Sequence, residues 1–177
     1  MNDDEAEAAA PRGEDGQQPA VLSLDGFLPY QLNFLAEQVS RSFSLIYKQQ
    51  FGIGIPEWRV VAILGEFGRV TSKQVGERST MHKTKVSRAV AALESRGYVR
   101  REPNPQDMRE SFIVLTDAGR AMYDELVPQA LAFSNRLRTV LEPQENAALE
   151  DIITKLHAAS SAFNDEQAKS KVARPPR

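Results

Sequence analysis

The chain has 177 residues, contains no cysteine and carries a formal net charge of −2 at pH 7. A chain of this length buries one core of ordinary size, and without cysteine neither disulfides nor a thiol redox switch can operate. The charge is unevenly distributed, because residues 1–20 sum to −5 whereas residues 71–110 contain nine cationic and five acidic side chains. A basic centre behind an acidic segment is typical of a nucleic-acid-binding protein.

The predicted elements begin after a polar amino-terminal segment. Residues 1–22 are rich in Ala, Gly, Pro, Gln and acid, which predicts a disordered acidic tail. Apolar residues then repeat every three or four positions and predict a helix from near Pro29 to Phe51. A second helix is predicted from Pro56, a residue that favours the first helical turn, to about Phe67.

Two shorter helices are predicted next. Thr71 or Ser72 can cap the first, and Ser79 or Thr80 can open the second. Gly97 ends the second helix, since glycine adopts the backbone conformation that follows many helix ends. Two short helices joined by a turn are typical of a helix-turn-helix.

The second short helix has an unusual outer face. Its inward positions are apolar and recur at helical spacing, at Val86, Val90 and Leu93. Its other side offers hydroxyls, cations and small side chains, namely Thr84, Lys85, Ser87, Arg88, Ala91 and Ser95. An ordinary solvated face carries mixed Glu and Lys, whereas this face suits the major groove of DNA.

A β-hairpin with an exposed tip, the wing, is predicted after this helix. Residues 98–102 and 111–115 are strand-like, and the turn at 103–107 contains two prolines and an asparagine. Arg109 lies at the tip, where it is placed to enter the flanking minor groove. The carboxylate of Asp107 could hold that guanidinium in position.

Two helices complete the chain. The first starts at Asp117 and runs through Leu137, with Pro128 as a site that can kink it. Pro143 opens the last helix, and residues 165–177 are predicted to be a flexible tail. The helices before and after the wing are more apolar than one small domain needs. They predict a two-fold homodimer, which would place two DNA-reading helices about one turn apart on a palindromic site.

Several motifs together resemble those of the MarR-type (multiple antibiotic resistance regulator) transcription factors. They are Pro56-Glu57-Trp58-Arg59-Val60, Val86-Ser87-Arg88, Leu93-Glu94-Ser95-Arg96-Gly97, Asp107-Met108-Arg109 and Leu115-Thr116-Asp117-Ala118-Gly119. The resemblance covers about residues 28–163. It implies a mainly α fold with a small β-hairpin wing, in which 56–116 form a winged helix-turn-helix and 28–51 and 117–163 form dimerisation helices.

The same resemblance implies a function. Proteins of this family are obligate dimers that bind palindromic promoter DNA, usually as repressors. Small ligands, often aromatic acids, bind them between the dimerisation helices and the DNA-binding lobe, and some regulators of aromatic-acid catabolism respond to acyl-CoA thioesters. The chain departs from the family at the wing, where Glu110 and Ser111 stand in place of a common second Asp and Arg.

The predicted DNA-binding residues lie on the two short helices and the wing. They are Thr71, Ser72, Lys73, His82, Lys83, Thr84, Lys85, Ser87, Arg88, Arg101, Asp107 and Arg109. Solvated surface is the alternative for the cations and hydroxyls. His82 is as suited to capping its helix as to touching DNA, and Arg100 and Arg101 favour phosphate or Glu102 over bases.

The predicted effector site is aromatic and cationic. Its residues stand on the helices that line the family's ligand pocket, namely Phe34, Arg41, Phe43, Tyr47, Trp58, Arg59 and Tyr123. Such residues would suit a small anionic or aromatic effector. Core packing for the aromatics and structural ion pairs for the arginines are the alternative.

Other classes of function lack the residues they need. The two histidines, His82 and His157, have no ligand cluster around them, so no metal or cofactor is expected. No phosphate-cradling glycine loop and no Ser/His/Asp set suggests an enzyme. No apolar window reaches transmembrane length, so we expect a cytoplasmic protein without membrane contact. The better rival is a winged-helix protein-interaction module without specific DNA binding, but this chain keeps the cations at 83, 85, 88 and 109.

Overall fold

The structure is a computed structural model that describes residues 21–172. The predicted acidic tail, residues 1–22, lies almost wholly outside the described residues, as do the last five residues of the predicted carboxyl-terminal tail. The chain divides into two units, residues 1–39 and residues 40–177.

The elements follow in the order helix, helix, strand, helix, helix, two strands and two helices. They are α1 (Leu28–Phe51), α2 (Ile55–Phe67), β1 (Val70–Thr71), α3 (Ser72–Ser79), α4 (Lys83–Ser95), β2 (Val99–Pro103), β3 (Ser111–Leu115), α5 (Asp117–Arg138) and α6 (Pro143–Val172). This mainly helical fold with a small antiparallel sheet is a winged helix-turn-helix, as the sequence predicts. Among the described residues, no helix combines the length and apolar character that crossing a bilayer requires.

The sheet has three strands in the order β1-β3-β2. In the central strand, Ile113 pairs with Val70 of β1 on one side and with Arg101 of β2 on the other. The hairpin of β2 and β3 is the predicted wing. The sequence prediction missed β1, because two residues are too few to show an alternating pattern.

One core lies within the second unit and holds the helix-turn-helix in place. Its fully buried side chains come from α1, the connection between α1 and α2, α2, α3, α4, β3 and α5. They include Tyr47, Ile53, Val60, Leu64, Val75, Val86, Val90, Leu93, Ile113, Met122 and Leu126. The apolar stripe predicted for α4 is therefore its buried face. The opposite face of α4 is left to solvent.

The first unit contains the start of α1. The side-chain amide of Gln31 donates to the carbonyl of Asp25, and the rings of Tyr30 and Phe34 stack with centroids 6.2 Å apart.

One predicted boundary is wrong. Neither Ser79 nor Thr80 opens α4, since the Ser79 hydroxyl donates to the Val75 carbonyl within α3 and Thr80 adopts a left-handed conformation with φ of 55°. At the carboxyl end, α6 continues to Val172, within the segment 165–177 for which the sequence predicts a flexible tail. The segment after 165 is rich in Glu, Gln, Ala and Lys, which are good helix formers even without apolar residues to bury.

Candidate nucleic-acid interface

The exposed face of α4 presents cations and hydroxyls to solvent. The side chains of Lys83, Thr84, Lys85, Ser87 and Arg88 are all exposed, as the sequence predicts. They project from one 13-residue helix whose other face is buried. Because the helix is anchored along its length, these side chains have a fixed origin and spacing, which reading base edges requires.

His82 caps α4. It is the N-cap residue, and its ring Nδ1 accepts a hydrogen bond from the backbone amide of Thr84 at 3.4 Å. The sequence allows His82 either to cap the helix or to contact DNA, and in the structure His82 caps the helix. The imidazole is exposed at the amino-terminal end of the cationic face.

Thr71 has a structural role at the start of α3. Its hydroxyl accepts from the amide of Gln74 at 3.3 Å, while the side-chain oxygen of Gln74 accepts from the amide of Thr71 at 2.8 Å. These two bonds form a reciprocal capping box, and Thr71 is buried, so its side chain is not presented at the candidate interface. The next residues do reach the surface, with Ser72 half-buried and Lys73 exposed.

Two side chains order the tip of the wing through the backbone. The buried Asn104 accepts from the amide of Gln106 at 3.0 Å, and the Asp107 carboxylate accepts from the amide of Arg109 at 2.9 Å. The predicted pairing of Asp107 with the Arg109 guanidinium is not among the ion pairs of the described residues. Asp107 instead fixes the backbone, which leaves the Arg109 side chain exposed.

A groove of about 580 Å³ lies between α3, the start of α4 and the wing. It is lined by Ser72, Lys73, Gly76, Glu77, Lys83, Arg101, Arg109, Glu110 and Ser111. The lining brings together predicted residues from the start of α3, the start of α4 and the wing. Four of its side chains are cationic and two are acidic, so the groove favours an anion such as a phosphate backbone.

The wing arginines contact acidic neighbours. Arg101 pairs with Glu94 of α4, with 3.2 Å between Nε and a carboxylate oxygen, whereas the sequence favoured Glu102 or phosphate. Arg100 does pair with Glu102, at 2.6 Å. The Arg101 pair joins the wing to α4, but both side chains are about 40% exposed, so it adds little stability.

Sequence reasoning did not single out Met108 as a surface feature. Its side chain is 88% exposed at the wing tip, between Asp107 and Arg109. The available signal was an apolar residue inside an otherwise polar turn.

The predicted effector residues fall into separate groups. Phe43, Tyr47 and Trp58 come together and are joined by Phe133 of α5, with ring centroids of contacting pairs 5.3 to 5.7 Å apart. The sequence reading did not single out Phe133 for this site. These rings fill the space between them, and none of the three grooves described for this chain is lined by them.

Tyr47 is the most enclosed of these residues, with 1% of its surface exposed. Burial raises the pKa of its phenol to about 12, although a hydrogen bond with Ser44 and the charge of Arg59 act in the opposite direction. Arg59 is half-buried and close enough to influence that phenol, whereas Arg41 is exposed.

The other two aromatics lie elsewhere. Tyr123 packs on Gly65 of α2 with the Arg120 guanidinium 5.3 Å from its ring centroid, and Phe34 of the first unit is 52% exposed. Among residues 21–172, no group of three or more His, Asp or Glu side chains is placed to hold a metal ion.

The chain is similar to several known proteins. A family model described as MarR family matches residues 51–110. A MarR-family transcriptional regulator of known structure from Silicibacter pomeroyi is 30% identical, with a TM-score of 0.64 and coverage of 77% of this chain and 92% of that one. A MarR/EmrR-family regulator from Acinetobacter sp. ADP1 is 27% identical, with a TM-score of 0.72 and coverage of 80% and 99%. The HTH-type transcriptional regulator YwoH of Bacillus subtilis is 26% identical over 131 residues, which span 71% of this chain and 95% of YwoH.

Proposed function

The chain belongs to the MarR family of transcriptional regulators, and from this membership we propose that it is a dimeric repressor of palindromic promoter DNA. Its relatives are transcriptional regulators and not enzymes. A small aromatic acid, or the CoA thioester of one, would release the DNA. Because its proposed partner is chromosomal DNA, we assign it to the cytoplasm.

The observation that carries this proposal is the exposed cationic face of α4 beside the basic groove. Arg88 and Lys85 would read base edges in the major groove, with Thr84 and Ser87 beside them. Lys73, Lys83 and Arg101 line or flank the groove and would meet phosphates. Arg109 would enter the adjacent minor groove from the ordered wing tip.

Exposed apolar residues on the outer helices support the dimer. Leu131 and Leu137 of α5 and Ile152, Ile153 and Phe163 of α6 are each at least 41% exposed. Leu28, Leu32 and Leu35 of α1 are likewise exposed. Exposed apolar surface of this extent is typical of an interaction site. A second copy of the chain, related by two-fold symmetry, would bury it. The proposed organisation is a winged helix at 56–116 with dimerisation helices at 28–51 and 117–163.

The aromatic cluster supports the effector class. A carboxylate ligand near Phe43, Tyr47 and Trp58 would find aromatic surface and the half-buried Arg59 together. Binding there requires the rings to separate, so the ligand would favour an alternative arrangement of α1, α2 and α5. A coupling of roughly 1 to 3 kcal/mol between ligand and DNA would suffice for release.

Sedimentation with a duplex selected from a random-sequence pool tests the DNA-binding proposal. We expect two chains per duplex and protection of a palindrome. A monomer that binds the selected duplex tightly at micromolar concentration would contradict the dimer. Failure to select any sequence would favour the protein-interaction module instead.

Operator release by a panel of aromatic acids and their CoA thioesters tests the effector class. Peroxide and zinc serve as controls, because the chain has no cysteine and no described metal cluster. Release by peroxide or zinc, with no response to any organic anion, would contradict the proposed effector.

A further inference from the structure

Arg96 joins the end of α4 to the end of α1. It is the residue that caps the carboxyl end of α4, and its Nη1 donates to the backbone carbonyls of Phe51, at 3.3 Å, and of Gly52. These carbonyls stand at the end of α1, where no following turn of helix supplies amide donors. A guanidinium has five donors in a fixed plane, so it can satisfy both carbonyls at once.

The neighbouring residue of α1 contacts a different helix. The side-chain amide of Gln50 donates to Gln129 of α5 at 3.1 Å, and Gln129 donates back to Gln50 at 3.0 Å. Three consecutive residues, 50 to 52, are therefore hydrogen-bonded to α5 on one side and to α4 on the other. The three contacts span 44 to 79 residues of sequence.

We propose that Arg96 is a positioning residue for DNA binding. It sets the tilt of α4 against the end of α1 and, through the Gln50 and Gln129 pair, against α5. The inference rests on the proposed function, in which α1 and α5 contribute to the dimer and α4 reads DNA. A displacement of α5 would then be transmitted to α4 through the Gln50–Gln129 and Arg96 hydrogen bonds. It would thereby change the distance between the two α4 helices of a dimer.

Direct contact of Arg96 with DNA does not fit its place on the helix. The cationic face of α4 begins at Lys83, and Arg96 follows 13 residues later, about 20 Å along the helix axis. Its guanidinium donates to carbonyls at the end of α1, and Arg96 is not among the residues that line the basic groove. The predicted consequence of removing it is a misplaced reading helix rather than a lost phosphate contact.

The test compares Arg96→Gln and Arg96→Lys with Arg136→Gln, a control that removes an exposed cation of α5 outside the candidate interface and should bind both duplexes like wild type. The probe is a duplex that the wild-type protein has selected from a random pool, with an unselected duplex beside it. Arg96→Gln should weaken binding to the selected duplex about tenfold, a size typical of coupling between distant sites. Binding to the unselected duplex should stay within about twofold, because it depends on the cations that meet phosphates, and Arg96 is not among those that line the basic groove. Arg96→Lys should recover part of the loss, since an ammonium can still donate to the carbonyls.

The salt dependence separates positioning from direct contact. We expect the slope of log affinity against log salt to be unchanged in Arg96→Gln, whereas loss of a phosphate contact lowers it by about 1. Backbone amide exchange at Gly97 and Tyr98, which donate to Glu94 and Leu93, should quicken in Arg96→Gln. A lower slope, equal losses on both duplexes, or wild-type affinity in Arg96→Gln would each overturn the inference. If the wild type selects no duplex, the proposed function itself fails, and this result is distinct from the other three.

Discussion

The ring of Tyr123 in α5 lies directly on the Cα of Gly65 in α2. A β-carbon at residue 65 would overlap three ring atoms of Tyr123, Cε2, Cζ and Cδ2. The two helices therefore approach each other as closely as they do because residue 65 has no side chain. Tyr123, a predicted effector residue, acts in this structure as a packing residue between α2 and α5.

We predict that Gly65→Ala destabilises the protein even though alanine is the better helix former. Because three ring atoms overlap, the cost should lie near the upper end of the usual range for overpacking, about 3 kcal/mol, and so exceed the roughly 1 kcal/mol that alanine gains in a helix. Urea unfolding measures the free energy of unfolding of each variant. In a Tyr123→Ala background the overlap is gone, so Gly65→Ala should there become neutral or stabilising. The same sign in both backgrounds would show that Tyr123 does not set the cost.

A second prediction concerns the turn between α3 and α4. Thr80 has φ of 55° and ψ of 22°, a left-handed conformation that costs a β-branched residue about 1 to 3 kcal/mol. Thr80→Asn should raise the free energy of unfolding by about 1 kcal/mol, because asparagine tolerates this conformation. Thr139 caps α5 in a right-handed conformation, so Thr139→Asn is the matched control and should bring no gain. Equal effects of the two substitutions would contradict the role of backbone strain.

The α4 helix shows how far sequence reasoning reaches. Its apolar stripe at Val86, Val90 and Leu93 is a local, periodic signal, and the buried face follows it. Its starting point was not predictable in the same way, because Ser79 and His82 are both plausible caps by residue type. Only the fold decides that the Ser79 hydroxyl turns back to Val75 while His82 accepts from the following turn.

In the candidate sites, too, local features were predictable from the sequence and tertiary contacts were not. Exposure of Lys85 and Arg88 follows from helical periodicity, but the partner of Arg101 does not, since Glu94 reaches it only when β2 folds back beside α4. The aromatic cluster is harder still. Whether Phe43 faces a cavity or another ring depends on Phe133, which lies 90 residues away in sequence.

The buried phenol of Tyr47 predicts a loss of stability at high pH. Its pKa is raised from 10.0 to about 12, so above pH 10 the unfolded chain releases this proton while the folded protein retains it. The free energy of unfolding should therefore fall between pH 10 and pH 12, by at most about 3 kcal/mol from this group. Tyr47→Phe removes the phenol, and the difference between the two unfolding curves isolates its effect. A difference that stays constant from pH 9 to pH 12 would contradict the raised pKa.

Replacement of Arg88 tests base reading by α4. Arg88→Ala should weaken binding to a selected duplex by roughly 1 to 3 kcal/mol, with a smaller loss on random DNA. The exposed Arg136 of α5 lies outside the candidate interface, so Arg136→Ala is the control and should bind like wild type. Fluorescence anisotropy with both duplexes measures the two affinities. Equal losses on both duplexes would assign Arg88 to phosphate rather than to a base.

Asp107 offers a test of how the wing is held for DNA. Its carboxylate accepts from the backbone amide of Arg109 at 2.9 Å, and its carbonyl accepts from the amide of Glu110 at 3.1 Å. Asparagine keeps a side-chain oxygen in the same position and removes the negative charge, so Asp107→Asn should bind a selected duplex as well as wild type or better. Asp107→Ala loses the acceptor and should weaken binding by about 1 kcal/mol, because the tip must then be ordered on binding. If the carboxylate instead acted by pairing with the Arg109 guanidinium, asparagine and alanine would weaken binding alike. Anisotropy titrations of the two variants against one A·T-flanked duplex therefore distinguish a backbone role from an ion pair.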